Sequence, residues 1–95
     1  MATAQFRVRV PRELAALISH LHPQIKRKLR AAIEDIATNP DAGKMLKEEL
    51  TGLHSYRIGK YRLIYRLAKD RNLELVAFGP RERIYEDTYK LVSRE

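Results

Sequence analysis

Two arginines, Arg57 and Arg62, flank a Gly59-Lys60 dipeptide within the stretch Ser55-Tyr56-Arg57-Ile58-Gly59-Lys60-Tyr61-Arg62-Leu63-Ile64-Tyr65-Arg66. A glycine-led dipeptide between alternating apolar residues predicts a two-residue β-hairpin turn. That register sets Ile58 opposite Tyr61, Arg57 opposite Arg62 and Tyr56 opposite Leu63. One face then carries Tyr56, Ile58, Tyr61, Leu63 and Tyr65 and reads as core. The other carries Ser55, Arg57, Arg62, Ile64 and Arg66. Two guanidiniums directly opposite one another cost a few tenths to ~1 kcal/mol. An anion between them reverses the sign of the interaction, and the guanidinium fork matches phosphate oxygens. The chemistry predicted for the pair is therefore phosphate binding and stabilisation of charge on phosphorus.

A second cationic segment, Gly79-Pro80-Arg81-Glu82-Arg83, closes the last apolar run. Arg81 and Arg83 are expected to approach the same sheet surface, with Lys60 at the turn. Tyr85 and Tyr89 follow one helical turn apart, and each offers a ring to stack on a base and a hydroxyl to donate a proton. The plainer reading of Arg83 is an ion pair with Glu86 or Asp87 along the helix, and of Tyr89 a core residue with its hydroxyl at the rim. Lys26, Arg27, Lys28 and Arg30 form a basic run that is either a solvated helix face or a contact for RNA backbone. His54 shares the core-side parity of Tyr56 and reads as structural, while His20 and His22 flank a helix end as surface or capping residues. Three scattered histidines predict no metal site, and no cofactor is implied. There is neither a phosphate-cradling glycine loop nor a nucleophile elbow.

These residues need a scaffold. Phe6, Val8 and Val10 alternate with Arg7 and Arg9 and predict a half-buried strand. Pro11 suits the first turn of a helix carrying Leu14, Leu17, Ile18 and Leu21. After Pro23 a second helix places Ile25, Leu29, Ala32, Ile33 and Ile36 on one face, and Asn39-Pro40 stops it. Asp41 to Thr51 is a polar connector. The hairpin follows, then a turn over Ala68 to Asn72, a strand over Leu73 to Phe78, and a short helix over Ile84 to Val92. The order β-α-α-β-β-β-α predicts an α+β fold: a small, mostly antiparallel sheet with the two N-terminal helices packed on one face. The long helical connection after the first strand suits a crossover.

The chain has 95 residues, of which 44% are hydrophobic, enough for one domain with a modest core and too many for a disordered chain. It has no cysteine, which excludes disulfides, thiolate zinc sites and thiol catalysis. No apolar run approaches the ~18 residues that span a membrane, and arginines interrupt the only apolar stretch of Met1 to Val10, so no leader is read and a cytoplasmic location is expected. The net charge of +7 favours a polyanionic partner.

The hairpin pattern Ser-Tyr-Arg-Ile-Gly-x-Tyr-Arg-x-Ile-Tyr and the segment Gly79-Pro80-Arg81-Glu82-Arg83-Ile84-Tyr85 resemble the central hairpin and terminal arginine-tyrosine segment of the RelE/ParE toxin superfamily. Length and element order agree over residues 1–95, one RelE-like domain. The resemblance implies the toxin of a type II toxin–antitoxin pair, an mRNA interferase that cleaves mRNA in the ribosomal A site without a metal and is neutralised by a cognate acidic antitoxin. It implies that Arg62 stabilises the transition state, that Arg81 holds phosphate or aids the leaving group, and that Tyr85 matches the family tyrosine. Arg57 stands where a well-studied relative has a lysine, and Asp87 stands where the longer form of the segment has its tyrosine. The general base is unassigned. Two alternatives stay open: a ParE-like binding inhibitor of DNA gyrase, and a non-catalytic RNA-binding module.

Overall fold

A computed structural model describes residues 5–94; Met1 to Ala4, read above for a leader, lie outside that range. The hydrophobic alternation is realised as a five-stranded sheet in the order β1-β5-β4-β3-β2. Its strands are β1 (Arg7–Arg9), β2 (Lys44–Met45), β3 (Leu53–Ile58), β4 (Tyr61–Ala68) and β5 (Asn72–Pro80). The helices are α1 (Arg12–Ser19), α2 (Pro23–Thr38) and α3 (Arg81–Val92). β1 runs parallel to β5, with Arg7 opposite Asn72, and every other pairing is antiparallel. The crossover predicted after the first strand is therefore the α1–α2 hairpin. No helix among the described residues is long and apolar enough to cross a membrane.

The sheet buries both faces. α1 and α2 cover one, where Leu14, Leu29, Ala32 and Ile36 meet Ile58, Leu63, Tyr65, Leu73, Leu75 and Phe78. α3 covers the other, where Ile84 meets Leu53, Ile64 and Ala77. The sequence reading placed helices over a single face. The fully buried Ile64, which shares its face with the arginines, shows why that was incomplete: this face also needs an apolar cover. α3 starts at Arg81, three residues before its first apolar anchor. Pro80 is its N-cap, and its missing N–H is a donor that position does not need.

β4 alternates between the two cores, and β5 departs from alternation at one point. Ile64 pairs with Ala77 but Tyr65 pairs with Leu75, so Val76 is an extra residue on β5, a β-bulge. Leu73 and Leu75 face the α2 core, Val76 and Ala77 the α3 core, and Phe78 the α2 core again. Gly79 thereby lands opposite Arg62 on the arginine face.

The segment read as a polar connector contributes β2 and two short 3₁₀ turns (Pro40–Ala42 and Glu48–Leu50). A buried tyrosine pins it. The Tyr65 hydroxyl donates to the Pro40 carbonyl at 2.6 Å and accepts from the Gly43 amide at 2.9 Å. A Cβ on Gly43 would stand 2.6 Å from the Tyr65 oxygen, so this close approach admits only glycine. His54 stacks on Tyr65 with ring centroids 5.1 Å apart, the core position its parity implied. His22 caps α2, its Nδ1 accepting from the Gln24 amide at 3.1 Å.

Burial, partly countered by the Gly43 amide, pushes the Tyr65 hydroxyl above the ordinary phenol range. Tyr56 is raised too, chiefly by the hydrogen bond its hydroxyl donates to Asp35. A phenol that ionises less readily folded than unfolded gives stability that is complete below the unfolded value near pH 10 and is lost as pH rises through the folded value. Tyr65→Phe should flatten this alkaline limb in a pH series of denaturant melts. It should also cost about 1–3 kcal/mol at neutral pH, because a buried amide loses its partner. The Thr88 hydroxyl, on the sheet side of α3, is buried with no hydrogen-bond partner among the described residues. Thr88→Val, which keeps the shape and removes the orphan hydroxyl, should raise stability by roughly 1 kcal/mol in thermal or urea unfolding.

Candidate functional site

The hairpin register is the one predicted: Ile58 opposite Tyr61, Arg57 opposite Arg62, Tyr56 opposite Leu63. Gly59 takes φ +59° at the first turn position, the left-handed conformation a glycine-led two-residue turn requires. Arg57 and Arg62 are thus cross-strand neighbours whose side chains rise from one face. α3 covers the part of this face around Ile64, while Arg57 at the hairpin end stays exposed.

The two arginines are not equivalent. Arg62 is half-buried, and its Nη1 donates to the Gly59 carbonyl at 3.1 Å and to the Tyr61 carbonyl at 2.8 Å. The sequence reading gave the pair no reason within folding. The structure corrects this, because Arg62 braces the turn and its charge is partly met by two carbonyl dipoles. Arg57 is exposed and has no side-chain hydrogen bond or ion pair to the described residues. The opposed charges are therefore relieved on one side only, and an anion between them is still favourable.

α3 is tied to the same turn. The Arg81 amide donates to the Lys60 carbonyl at 3.0 Å, so the first residue of α3 starts at the hairpin tip. With Gly59, Lys60 and Tyr61 all accepting, the turn is held from two directions. Gly79, opposite Arg62, has no side chain, and a Cβ there would come to 3.3 Å from Ile84. One turn into α3 the Tyr85 hydroxyl lies 3.2 Å from Ser55 Oγ, and the two share a hydrogen bond. Ser55 is buried, and Tyr85 as a residue is 37% exposed. Arg57 and Arg62 are thus paired at the hairpin end, Arg81 begins α3 at the same tip, and Tyr85 bonds to Ser55, two residues along β3 from Arg57.

The remaining candidates are divided between this region and the other layer. Arg83 forms the helical pair with Asp87, at 3.8 Å, as its plainer reading held. Tyr89 is 48% exposed, one turn beyond Tyr85, and is not a core residue. Lys60 is exposed in the turn. Lys26, Arg27 and Arg30 belong to α2, whose apolar side packs on the opposite face of the sheet. They do not join the Arg57–Arg62 surface. Two residues on that surface were passed over in sequence. Ser55 was placed on the correct face without a partner. Lys44 was assigned to the connector, yet it pairs with Ser55 and so projects on the arginine face. Its signal was faint because β2 has only two residues.

A separate groove of about 580 Å³ follows β5 beyond Glu74, where β1 has already ended. Its walls include Val10, Leu14 and Leu17 on one side and Ile84 and Leu91 on the other, and it contains neither Arg57 nor Arg62.

Comparison with solved structures places this architecture among toxins of toxin–antitoxin pairs. The archaeal RelE of a RelE–RelB complex from Pyrococcus horikoshii superposes with a TM-score of 0.68 at 24% identity, over 83% of this chain and 98% of that one. The RelBE2 toxin–antitoxin complex from Mycobacterium tuberculosis matches with a TM-score of 0.67 at 29% identity, over 84% and 95%. A free variant of Escherichia coli RelE matches with a TM-score of 0.75 at 14% identity, over 95% and 97%. No curated protein sequence matches the chain. The family described as "ParE toxin of type II toxin-antitoxin system, parDE" matches residues 5–85, and the chain belongs to that family, within the RelE/ParE superfamily of toxins.

The geometry predicts which cations meet a phosphate. In an arginine Nε–Hε NMR titration with a short 2′-deoxy oligonucleotide, resonances of Arg57, Arg62 and Arg81 should move together at low occupancy. Those of Arg27 and Arg30 should move later and vanish as a response at high salt. Simultaneous movement of all five would mean the charge acts only as a diffuse field.

Proposed function

We propose that this toxin is a ribosome-dependent mRNA endoribonuclease. The observation that carries the reading is the placement of Arg57, Arg62 and Arg81 at the hairpin end, with Tyr85 bonded to Ser55 two residues along β3 from Arg57. The reaction is attack of a ribose 2′-oxygen on the adjacent phosphorus, with loss of the 5′-oxygen and formation of a 2′,3′-cyclic phosphate. Charge accumulates on the non-bridging oxygens, where Arg57 and Arg62 are placed to meet it. Arg81, at the start of α3, holds the phosphate. Tyr85 supplies a proton to the departing 5′-oxygen, and Tyr89, exposed beyond it, stacks on a neighbouring base. Arg83, Lys60 and the α2 cations Lys26, Arg27 and Arg30 add backbone affinity without sequence choice. Proton removal from the 2′-hydroxyl falls to none of the arginines, which stay charged, and no residue is assigned to it.

The partner that holds such a toxin in check is an acidic antitoxin. The net charge of +7 suits an acidic partner, and the groove beside the open edge of β5, where Arg9, Glu13, Arg66, Glu74 and Asp87 stand among apolar side chains, suits a segment with both apolar and charged residues. The similar structures are a RelE–RelB complex from Pyrococcus horikoshii and a RelBE2 toxin–antitoxin complex from Mycobacterium tuberculosis. Toxin, antitoxin and ribosome then meet in the cytoplasm.

The family match favours a second reading, a binding inhibitor of DNA gyrase. Purified protein added to a translation reaction and to a supercoiling reaction separates the two. The ribonuclease reading expects cut mRNA in the A site and undisturbed supercoiling. Intact mRNA together with blocked supercoiling would establish the gyrase reading instead. Arg62→Ala should lower cleavage at least a hundredfold. It should cost under about 1 kcal/mol of stability, because relief of the Arg57 repulsion offsets the lost bonds to the turn.

A further inference from the structure

Ser55 is a buried hydroxyl on the arginine face, on β3 between Lys44 of β2 and Ile64 of β4. Its Oγ bonds to the Tyr85 hydroxyl at 3.2 Å across 30 residues of sequence. A strand serine under a helix needs a partner, because a buried hydroxyl without one is costly. Thr88, on the sheet side of the same helix, has a buried hydroxyl with no partner among the described residues, so a hydroxyl at this layer is not paired automatically. Tyr85 as a residue is 37% exposed, so burial alone does not hold it in place.

We propose that Ser55 is a positioning residue for Tyr85: it donates its hydroxyl hydrogen to the phenol oxygen and fixes the direction in which Tyr85 gives its proton. This rests on the ribonuclease reading above. With Ser55 as donor, the Tyr85 O–H is left to point away from β3, towards the hairpin end where Arg57 and Arg62 lie. As the phosphorus–5′-oxygen bond breaks, its electron pair stays on that oxygen, which takes the Tyr85 proton. The phenolate left behind is stabilised by the Ser55 donor already in place, and water returns the proton after product leaves. The bond is worth more in the transition state than in the ground state, so it acts on turnover and not on substrate binding.

The test uses the full chain in single-turnover cleavage on programmed ribosomes, beside NMR of the free protein. Ser55→Ala should fold, lower the maximal rate about tenfold and leave half-saturation unchanged. Ser55→Thr, which keeps the donor, should restore the rate. Tyr85→Phe should be slower still, and adding Ser55→Ala to it should change nothing further. The Ser55 hydroxyl proton should exchange slowly with water in the wild type and rapidly in Tyr85→Phe. Additive losses in the double variant, a change confined to half-saturation, or a Ser55 hydroxyl unaffected by Tyr85→Phe would each overturn the proposal. A wild-type chain that cleaves nothing overturns the ribonuclease reading and the catalytic use of the bond, while the exchange measurement still reports separately whether the bond exists.

Discussion

The structure turns on the extra residue at Val76. A strand without it would set Gly79 opposite Tyr61 on the α1–α2 side of the sheet and Phe78 opposite Arg62 on the arginine side. With the bulge, Leu73 and Leu75 serve one core, Ala77 the other, and Phe78 returns to the first. The parity change sets a residue with no side chain opposite Arg62. It also lets α3 turn back across the sheet immediately after Pro80, with Ile84 close over Gly79. The placement of Arg81 at the hairpin tip and of Tyr85 over Ser55 follows from that path.

Electrostatics at the hairpin tip are unequal by construction. Arg62 is held against its own turn by two carbonyls, whereas Arg57 stands in solvent without a partner among the described residues. The first is an ordered cation that loses little side-chain freedom when it meets a phosphate. The second adapts to whatever the first has positioned. The same carbonyls, with that of Lys60 on the Arg81 amide, convert a flexible turn into a fixed corner shared by three elements. The surface of α2 carries comparable charge but no such corner, and it lies on the other layer.

Much of this was legible in the amino-acid order, for identifiable reasons. The Gly59-Lys60 turn and strict alternation fixed the register through Arg57 and Arg62, because a slip of one residue would expose Leu63 and bury an arginine. The 3.6-residue spacing of Leu29, Ala32 and Ile36 marked α2, and the parity of His54 marked it as core. The bulge was not legible, since Leu-Val-Ala-Phe is apolar at every position and hides a change of phase. β2 was hidden because two residues carry no period. The second core was missed for a subtler reason: Ile64 was the sole apolar residue on a face otherwise read as cationic, and its cover comes from a helix twenty residues later. The Ser55–Tyr85 contact is of the same kind, local in space and remote in sequence. Membership of the ParE family and the RelE-like fold agree with the resemblance drawn from the hairpin and the terminal arginine-tyrosine segment.

The parallel pairing of β1 with β5 has a consequence for synthesis. Arg7 finds its partner only at Asn72, and the first strand emerges from the ribosome long before the last. Until then the α1–α2 hairpin has little sheet on which to bury its apolar side. A chain interrupted before Gly79 carries Arg57 and Arg62 but lacks Arg81, Tyr85 and the cover over Ile64. Both faces of the sheet are therefore covered only after β5 and the first turns of α3 have been made.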